Sequence, residues 1–157
     1  MTLWDDVLFR KAAEDNGFCA EMLQTFLDDP KLTVVSQNPQ SEILNLQGRS
    51  AVLDLVCKLG SGETVNVEVQ KPKTTDHLRR VRYYSSLITT NITDPNTDFK
   101  DVPNLTIIYL TNGDIFKRLF TKYYITNTLF PCSGIVDDGL TRIFINGSVD
   151  DNSITLR

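Results

Sequence analysis

Histidine and cysteine are scarce in this sequence, which limits the sites that it can build. The only histidine is His77, and Cys19, Cys57 and Cys132 lie far apart with no C-x-x-C pair. A structural zinc site therefore lacks ligands, and Ser-His-Asp or Cys-His catalysis would depend on His77 alone. We interpret the cysteines as reduced thiols, most of them in the core. We interpret His77 as a surface or capping-region histidine rather than a general base.

Long apolar runs are also absent. No stretch approaches the roughly 18 to 20 consecutive apolar residues of a membrane-spanning helix. The first residues include Asp5 and Asp6, where a signal peptide carries basic residues. We therefore expect a cytoplasmic protein with no membrane partner. The 157 residues, of which 41% are apolar, predict a single domain, 1–157, with a flexible tail over 147–157.

Positive charge is in the minority, because the net charge is −4. This balance argues against a protein that coats nucleic acid with a wholly basic surface. The basic residues are nevertheless concentrated in one segment, 71–82, where a single acid, Asp76, accompanies five of them: Lys71, Lys73, Arg79, Arg80 and Arg82. The sequence therefore predicts a local basic patch on an acidic protein.

The spacing of apolar residues predicts an α/β fold of the α+β type, with elements in mixed order. Two helices are predicted between Leu3 and Leu27, with a break around Asn16-Gly17, and the polar segment 28–48 is a connection with a short strand near Glu42–Leu46. A helix follows from about Thr75 to Asn91, with its buried stripe at Leu78, Val81, Ser85 and Ile88. Leu105–Leu110 is predicted to be a strand buried on both faces, and Thr141–Ile145 a late strand.

A β-hairpin over residues 51–70 is the most informative prediction. Apolar residues alternate with other residues on both sides of Gly60-Ser61-Gly62, which indicates two strands and a turn. If the turn is centred on Ser61, residues whose numbers add up to 122 face each other. Asp54 then faces Glu68, on a face that also carries Asn66 and Gln70, while the aliphatic face packs inward.

Two carboxylates placed directly opposite each other repel, so this arrangement needs a compensating factor. Water can screen them, one can stay protonated, or a divalent cation can lie between them. Mg²⁺ takes one or two carboxylates together with water and phosphate oxygens, and the basic helix that follows can hold a phosphate backbone. An ordinary solvated face also explains the alternation, and on the pattern alone we favour this interpretation over a metal site.

Three strings carry a resemblance to a known family. They are Ser50-Ala51-Val52-Leu53-Asp54-Leu55, then Asn66-Val67-Glu68-Val69-Gln70 after the glycine turn, and Arg80-Val81-Arg82-Tyr83-Tyr84 on the next helix. In order and spacing they resemble the core of the PD-(D/E)XK nuclease family transposases, or recombination-promoting nucleases. The resemblance covers about residues 5 to 112.

The resemblance implies a restriction-endonuclease-like fold, in which helices flank a mixed central sheet. It also implies an enzyme that hydrolyses phosphodiester bonds in DNA with Mg²⁺ or Mn²⁺. Asp54 and Glu68 would bind the metal together with the backbone carbonyl of Val69. Gln70 stands where the superfamily has a lysine and would orient the attacking water. Lys73, Arg79, Arg80 and Arg82 would contact DNA, and mobile-element, recombination or defence roles come with the family.

A second hypothesis from another class stays open. Members of the family usually continue beyond this length, and a glutamine cannot supply the charge of a lysine. The chain is then a weakened, nuclease-like binding or regulatory module that pairs with a protein partner, either a second copy or a longer homologous chain.

Overall fold

The computed structural model describes residues 6–70 and 75–148 of the chain. Its first half contains the helices α1 (Asp6–Ala12) and α2 (Asn16–Leu27), the strands β1 (Val34–Ile43), β2 (Ala51–Leu59) and β3 (Thr64–Gln70), and the helix α3 (His77–Ile92). Its second half contains a 3₁₀ turn (Phe99–Asp101) and the strands β4 (Leu105–Thr111), β5 (Lys122–Ile125), β6 (Asn127–Leu129), β7 (Gly134–Val136) and β8 (Leu140–Asn146). Lys73 and most of the predicted tail lie outside the described residues.

A mixed six-stranded sheet forms the centre, with strand order β1-β2-β3-β4-β8-β5. β2 pairs with β1 and β3 in antiparallel fashion, whereas β4 runs parallel to both β3 and β8. The parallel pairing of β3 with β4 requires a crossover connection, which α3 supplies. The predicted α+β class, with a mixed central sheet flanked by helices, is confirmed. None of the described helices is long and apolar enough to cross a membrane.

Two apolar clusters cover the two faces of the sheet. One packs α1 and α2, through residues such as Phe9, Met22 and Phe26, against Val65 and Val67 of β3. The other joins α3 to the opposite face, and its members include Val81, Ile88, Leu105, Ile107, Tyr109 and Phe144. The sheet is therefore covered by helices on both sides, which fits the fully buried β4.

The hairpin of β2 and β3 has the predicted register. Leu55 faces Val67, Val56 faces Asn66, Cys57 faces Val65 and Lys58 faces Thr64, so each pair of numbers adds up to 122. The predicted aliphatic positions are buried. Ala51 and Leu53, however, belong to the cluster on the α3 side, whereas Leu55 belongs to the other one.

The interpretation of the polar hairpin face as a solvated surface is wrong for β3. Asn66 and Glu68 are 0% and 1% exposed, because β3 is an inner strand with helices on both sides of the sheet. Alternation identifies which residues share a face, but it does not show whether another layer covers that face.

The segment 28–48 was predicted wrongly as a connection with a strand near Glu42–Leu46. It contains the ten-residue strand β1, which ends at Ile43. β1 lies at an edge of the sheet, and many of its side chains face water, so backbone pairing with β2 rather than apolar alternation defines it. Pro39 is compatible with such an edge strand. The short strands β5, β6 and β7 offer too few residues for a period and were not predicted.

The helices are largely as predicted, with two corrections. The break between the first helices lies at residues 13–15, because the Asp15 side chain caps α2 by accepting a hydrogen bond from the Phe18 N–H (2.7 Å). In α3, Leu78 is 52% exposed and His77 takes its place in the buried stripe at 7% exposure. His77 is the first residue of α3, as the capping-region interpretation has it, but it is not on the surface, since its Nδ1 lies 3.0 Å from the buried Tyr109 hydroxyl oxygen.

Candidate active site

Asp54 and Glu68 lie together where the β2–β3 ladder ends. The last residues that the ladder pairs at this end are Leu55 and Val67, and beyond them the two strands are joined by hydrogen bonds between side chains and backbone N–H groups. The Asp54 N–H donates to Glu68 Oε1 (3.2 Å), and the Val69 N–H donates to Asp54 Oδ2 (2.8 Å). Each carboxylate is thus held by the backbone of the other strand, which brings Asp54 and Glu68 together although the ladder does not pair them.

Burial makes the negative charge of Glu68 costly. Removal from water raises the pKa of Glu68 to about 8, and the nearby Asp54 adds to this effect. Hydrogen bonds from Asn66 and the Asp54 N–H, together with the charge of Arg80, oppose the rise. With no cation present, Glu68 is therefore mostly protonated at neutral pH.

Asn66 is a member of this site whose contribution the sequence reasoning missed. Its Nδ2 donates to Glu68 Oε1 (2.9 Å) and to the Leu55 carbonyl (3.0 Å), while its buried Oδ1 has no hydrogen-bond partner in the described residues. The amide fixes the orientation of the Glu68 carboxyl. Its place two residues before Glu68 on the same strand face was the signal that could have identified it.

Gln70 is held by the helix that follows it. Arg80 Nη1 donates to Gln70 Oε1 (2.9 Å), and Arg80 Nη2 lies 3.5 Å from Asp76 Oδ2. Because Arg80 occupies the amide oxygen, Gln70 keeps its NH₂ group as the donor that it can offer to another molecule. Arg80 therefore places a guanidinium charge next to the Gln70 amide.

Tyr109 completes the buried side of the site. It lies beside Glu68 in the β3–β4 register, and its hydroxyl contacts His77. Burial raises the pKa of Tyr109, Glu68 raises it further, and Arg80 opposes the rise, so the phenol stays protonated. The sequence reasoning treated Tyr109 as one residue of an apolar strand, and only the register shows that it neighbours Glu68.

The predicted DNA-binding arginines line two depressions, and Arg79 borders both. Arg79 and Arg80 line a cavity together with Arg49, Asp76, Tyr83 and Tyr84. Arg79 and Arg82 line the other, with Leu78, Val81, Ile125, Arg142 and Phe144. Lys73 lies outside the described residues, so its contact with DNA stays a prediction. Arg49, in the loop between β1 and β2, was not predicted at all.

The oxygen atoms of this site fit a hard divalent cation. Two carboxylates on neighbouring strands, each oriented by hydrogen bonds, are typical ligands of Mg²⁺, which keeps water and phosphate oxygens in its other positions. Among residues 6–70 and 75–148, no group of three or more histidine, cysteine, aspartate or glutamate side chains could hold a metal ion. The described residues therefore offer two carboxylates rather than a complete protein cage.

The chain matches a known protein family. Residues 7–145 match the family described as PD-(D/E)XK nuclease family transposase, and this range contains Asp54, Glu68, Gln70 and Arg80. No curated protein and no solved structure matches the chain. The family match agrees with the resemblance carried by the hairpin and the helix that follows it.

Proposed function

Since the chain belongs to the PD-(D/E)XK nuclease family transposases, we propose that it is a metal-dependent endonuclease that hydrolyses phosphodiester bonds in DNA. One observation carries the proposal: the buried Glu68 lies hydrogen-bonded beside Asp54, where its pKa is raised to about 8. A buried carboxyl pair with a perturbed pKa is typical of a functional site.

Asp54, Glu68 and the Val69 carbonyl would hold Mg²⁺ or Mn²⁺. Such an ion, when bound, supplies Lewis-acid activation of water and neutralises charge on the phosphate. The role of the protein is to orient the ligands, since Asn66 and the backbone N–H groups of Asp54 and Val69 fix the two carboxylates.

Gln70 and Arg80 would act as a unit at the position of the superfamily's lysine. Arg80 holds the Gln70 amide oxygen, so the amide NH₂ can orient the attacking water or a phosphate oxygen. The guanidinium of Arg80 supplies the positive charge that glutamine lacks, and it favours the charge that develops on the phosphate.

Arg79 and Arg80, with Lys73 and Arg82 as further predicted contacts, would bind the phosphate backbone of DNA. Local basic charge on an otherwise acidic chain favours contact through a restricted surface. The free thiols Cys19, Cys57 and Cys132 accord with a reducing compartment, so we also place the protein in the cytoplasm, with a role in mobile-element recombination or defence.

Cleavage of supercoiled plasmid DNA tests this function. We expect nicking that requires Mg²⁺ or Mn²⁺ and that falls by about a hundred-fold or more in Asp54→Asn and Glu68→Gln. Glu63→Gln is the matched control. Glu63 belongs to the same hairpin, but it directly precedes β3, at the end of the strand away from Glu68, where its Oε1 accepts a hydrogen bond from Thr106. Full activity in both site variants would contradict the assignment.

A second candidate function is that of a module that pairs with another protein chain. It is favoured by exposed apolar side chains on the small β6–β7 hairpin, where Phe130 is 93% and Ile135 is 76% exposed. The partner would be a second copy or a longer homologous chain. Light scattering of the purified chain should then show a dimer that Phe130→Ser and Ile135→Ser convert to a monomer.

A further inference from the structure

A small cavity opens beside the Gln70–Arg80 contact, between the β1–β2 loop and α3. Its walls are Arg49, Asp76, Arg79, Arg80, Tyr83 and Tyr84, and we call it the arginine cleft. Its volume is about 180 Å³. Pockets for whole small-molecule ligands start at roughly 300 Å³, so the cleft is of a size for a charged group of a larger molecule.

The charge of the arginine cleft favours an anion. Three guanidinium groups and one carboxylate line it. Within the described residues, the salt bridges are Arg80–Asp76, Lys100–Asp98 and Lys122–Asp28, so no carboxylate forms an ion pair with Arg49 or Arg79 there. Two exposed guanidinium groups in one small cleft repel each other, and a phosphate would remove that repulsion while it accepts hydrogen bonds from both.

Tyr84 connects the arginine cleft with the carboxylate pair. Burial raises the pKa of Tyr84 and Glu68 raises it further, whereas Arg80 and Arg49 lower it. The phenol therefore lies within electrostatic range of both Glu68 and Arg49. An anion in the cleft would lie near the carboxylates, at a place set by Arg80, which also holds Gln70.

The loop that carries Arg49 is fixed in place by α3. The Tyr83 hydroxyl donates to the Arg49 carbonyl (2.5 Å) and accepts from Asn45 Nδ2 (3.2 Å). Gly48 passes so close to this contact that a Cβ at that position would lie 3.1 Å from Asn45 Nδ2 and 3.4 Å from the Tyr83 oxygen. The backbone at Arg49 is therefore fixed before a ligand binds, which lowers the entropy cost of binding.

From this arrangement we propose that the arginine cleft binds a backbone phosphate next to the scissile one, with Arg49 and Arg79 as its ligands. This inference rests on the proposed nuclease function, because it takes the bound molecule to be nucleic acid. It assigns a substrate-binding role to Arg49, which lies in the loop between β1 and β2, five positions before Asp54.

Binding of a fluorescently labelled DNA duplex, with divalent metal omitted, tests the cleft without cleavage. We expect Arg49→Ala and Arg79→Ala each to weaken binding by about ten-fold and to reduce the slope of log K against log salt by about one. Lys11→Ala is the control for loss of one exposed positive charge, since Lys11 lies on α1, which packs against the opposite face of the sheet. It should weaken binding by less than about three-fold.

Two further variants separate a binding role from loss of structure. Arg49→Lys keeps the charge but not the planar fork, so it should keep the salt slope and recover part of the lost affinity. Tyr83→Phe releases the loop without removing a charge, so it should weaken binding and leave the slope unchanged. Equal losses in Arg49→Ala, Arg79→Ala and Lys11→Ala would overturn the proposal, and so would wild-type affinity in the first two or no DNA binding by the wild type.

Cleavage by the same variants distinguishes failure of the cleft from failure of the nuclease function. With Mg²⁺, Arg49→Ala and Arg79→Ala should raise KM by about ten-fold and change kcat little, because the bound phosphate is not the reacting one. If the wild type cuts DNA and these variants cut it with wild-type KM, the cleft is overturned and the nuclease stands. If the wild type cuts no DNA but the binding losses appear, the nuclease assignment fails and the phosphate site stands.

Discussion

The two faces of β3 are equally buried but differ in chemistry. On the side of α1 and α2, Val65, Val67 and Val69 lie in a cluster of apolar side chains. On the side of α3, Asn66 and Glu68 are as deeply buried, and they meet Asp54 and Tyr109 instead. One strand therefore contributes to the core through its odd-numbered residues and to the candidate site through its even-numbered ones.

The difference shows how a rigid sheet can hold an unfavourable charge arrangement. The valine face stabilises the fold by apolar burial, which requires no specific partner. The polar face keeps a carboxyl where its charge is disfavoured, with hydrogen bonds as partial compensation. When the charge of a buried carboxyl is disfavoured in this way, binding of a cation stabilises the folded protein. This property is expected of a metal site rather than of a structural core.

The largest expected effect comes from placing a carboxylate on the apolar face. Val67→Asp buries a charge with no polar partner, so we expect it to cost more than about 4 kcal/mol or to prevent folding. Urea unfolding measures the free energy. Val52→Asp, at an exposed position of β2, is the control and should change stability by less than about 1 kcal/mol. A cost below about 1 kcal/mol for Val67→Asp would contradict the apolar character of this face of β3.

Glu68→Gln should stabilise the metal-free protein at neutral and higher pH. The folded pKa of about 8 lies above that of an unfolded glutamate, so the folded state keeps a proton that the unfolded chain has lost. Stability from this group is therefore present below about pH 4.5 and falls as the pH rises from there to about 8. We expect a gain on the order of a few kcal/mol at pH 8 and little change at pH 4.

Thermal or urea unfolding across this pH range checks the prediction. Glu42→Gln, on the exposed edge strand β1, is the matched control and should leave the pH profile unchanged. If Glu68→Gln destabilises the protein at pH 8 in the absence of metal, then the carboxyl is not held in the unfavourable state described above.

A smaller effect is expected for Asn66→Ala. It removes the donor to Glu68 Oε1 and leaves the buried Leu55 carbonyl without that donor, at a cost of about 1–3 kcal/mol. Because Asn66 orients a predicted ligand, metal affinity should also fall by about 10- to 100-fold. Urea unfolding and metal titration measure the two effects. A loss of stability with unchanged metal affinity would show that Asn66 has only a structural role.

Local patterns predicted the parts of the fold in which each residue's environment follows from its neighbours. The hairpin register follows from alternation and a glycine turn, and the burial of β4 from a continuous apolar run. The strand β1 was missed because backbone pairing with β2 maintains it, while many of its side chains face water. The burial of His77 was not predicted, because its partner, Tyr109, lies 32 residues away in the chain.

The candidate site shows the same division. The pairing of Asp54 with Glu68 was predictable, since both belong to one hairpin. The roles of Arg49 and Tyr109 were not, because the β1–β2 loop and β4 reach the site only through the folded sheet and α3. The burial of Glu68 was not predictable either, because it results from coverage of this sheet face by α3, which the alternation along a strand does not reveal.

Calorimetric titration of the metal-free protein with Mn²⁺ tests most directly whether Asp54 and Glu68 share a cation. We predict one saturable site, abolished by Asp54→Asn and by Glu68→Gln. Near pH 7 binding should release up to one proton, measurable in buffers of different ionisation enthalpy, because Glu68 has a pKa of about 8 before the ion binds. No saturable binding by the wild type, or unchanged binding by both variants, would contradict the account.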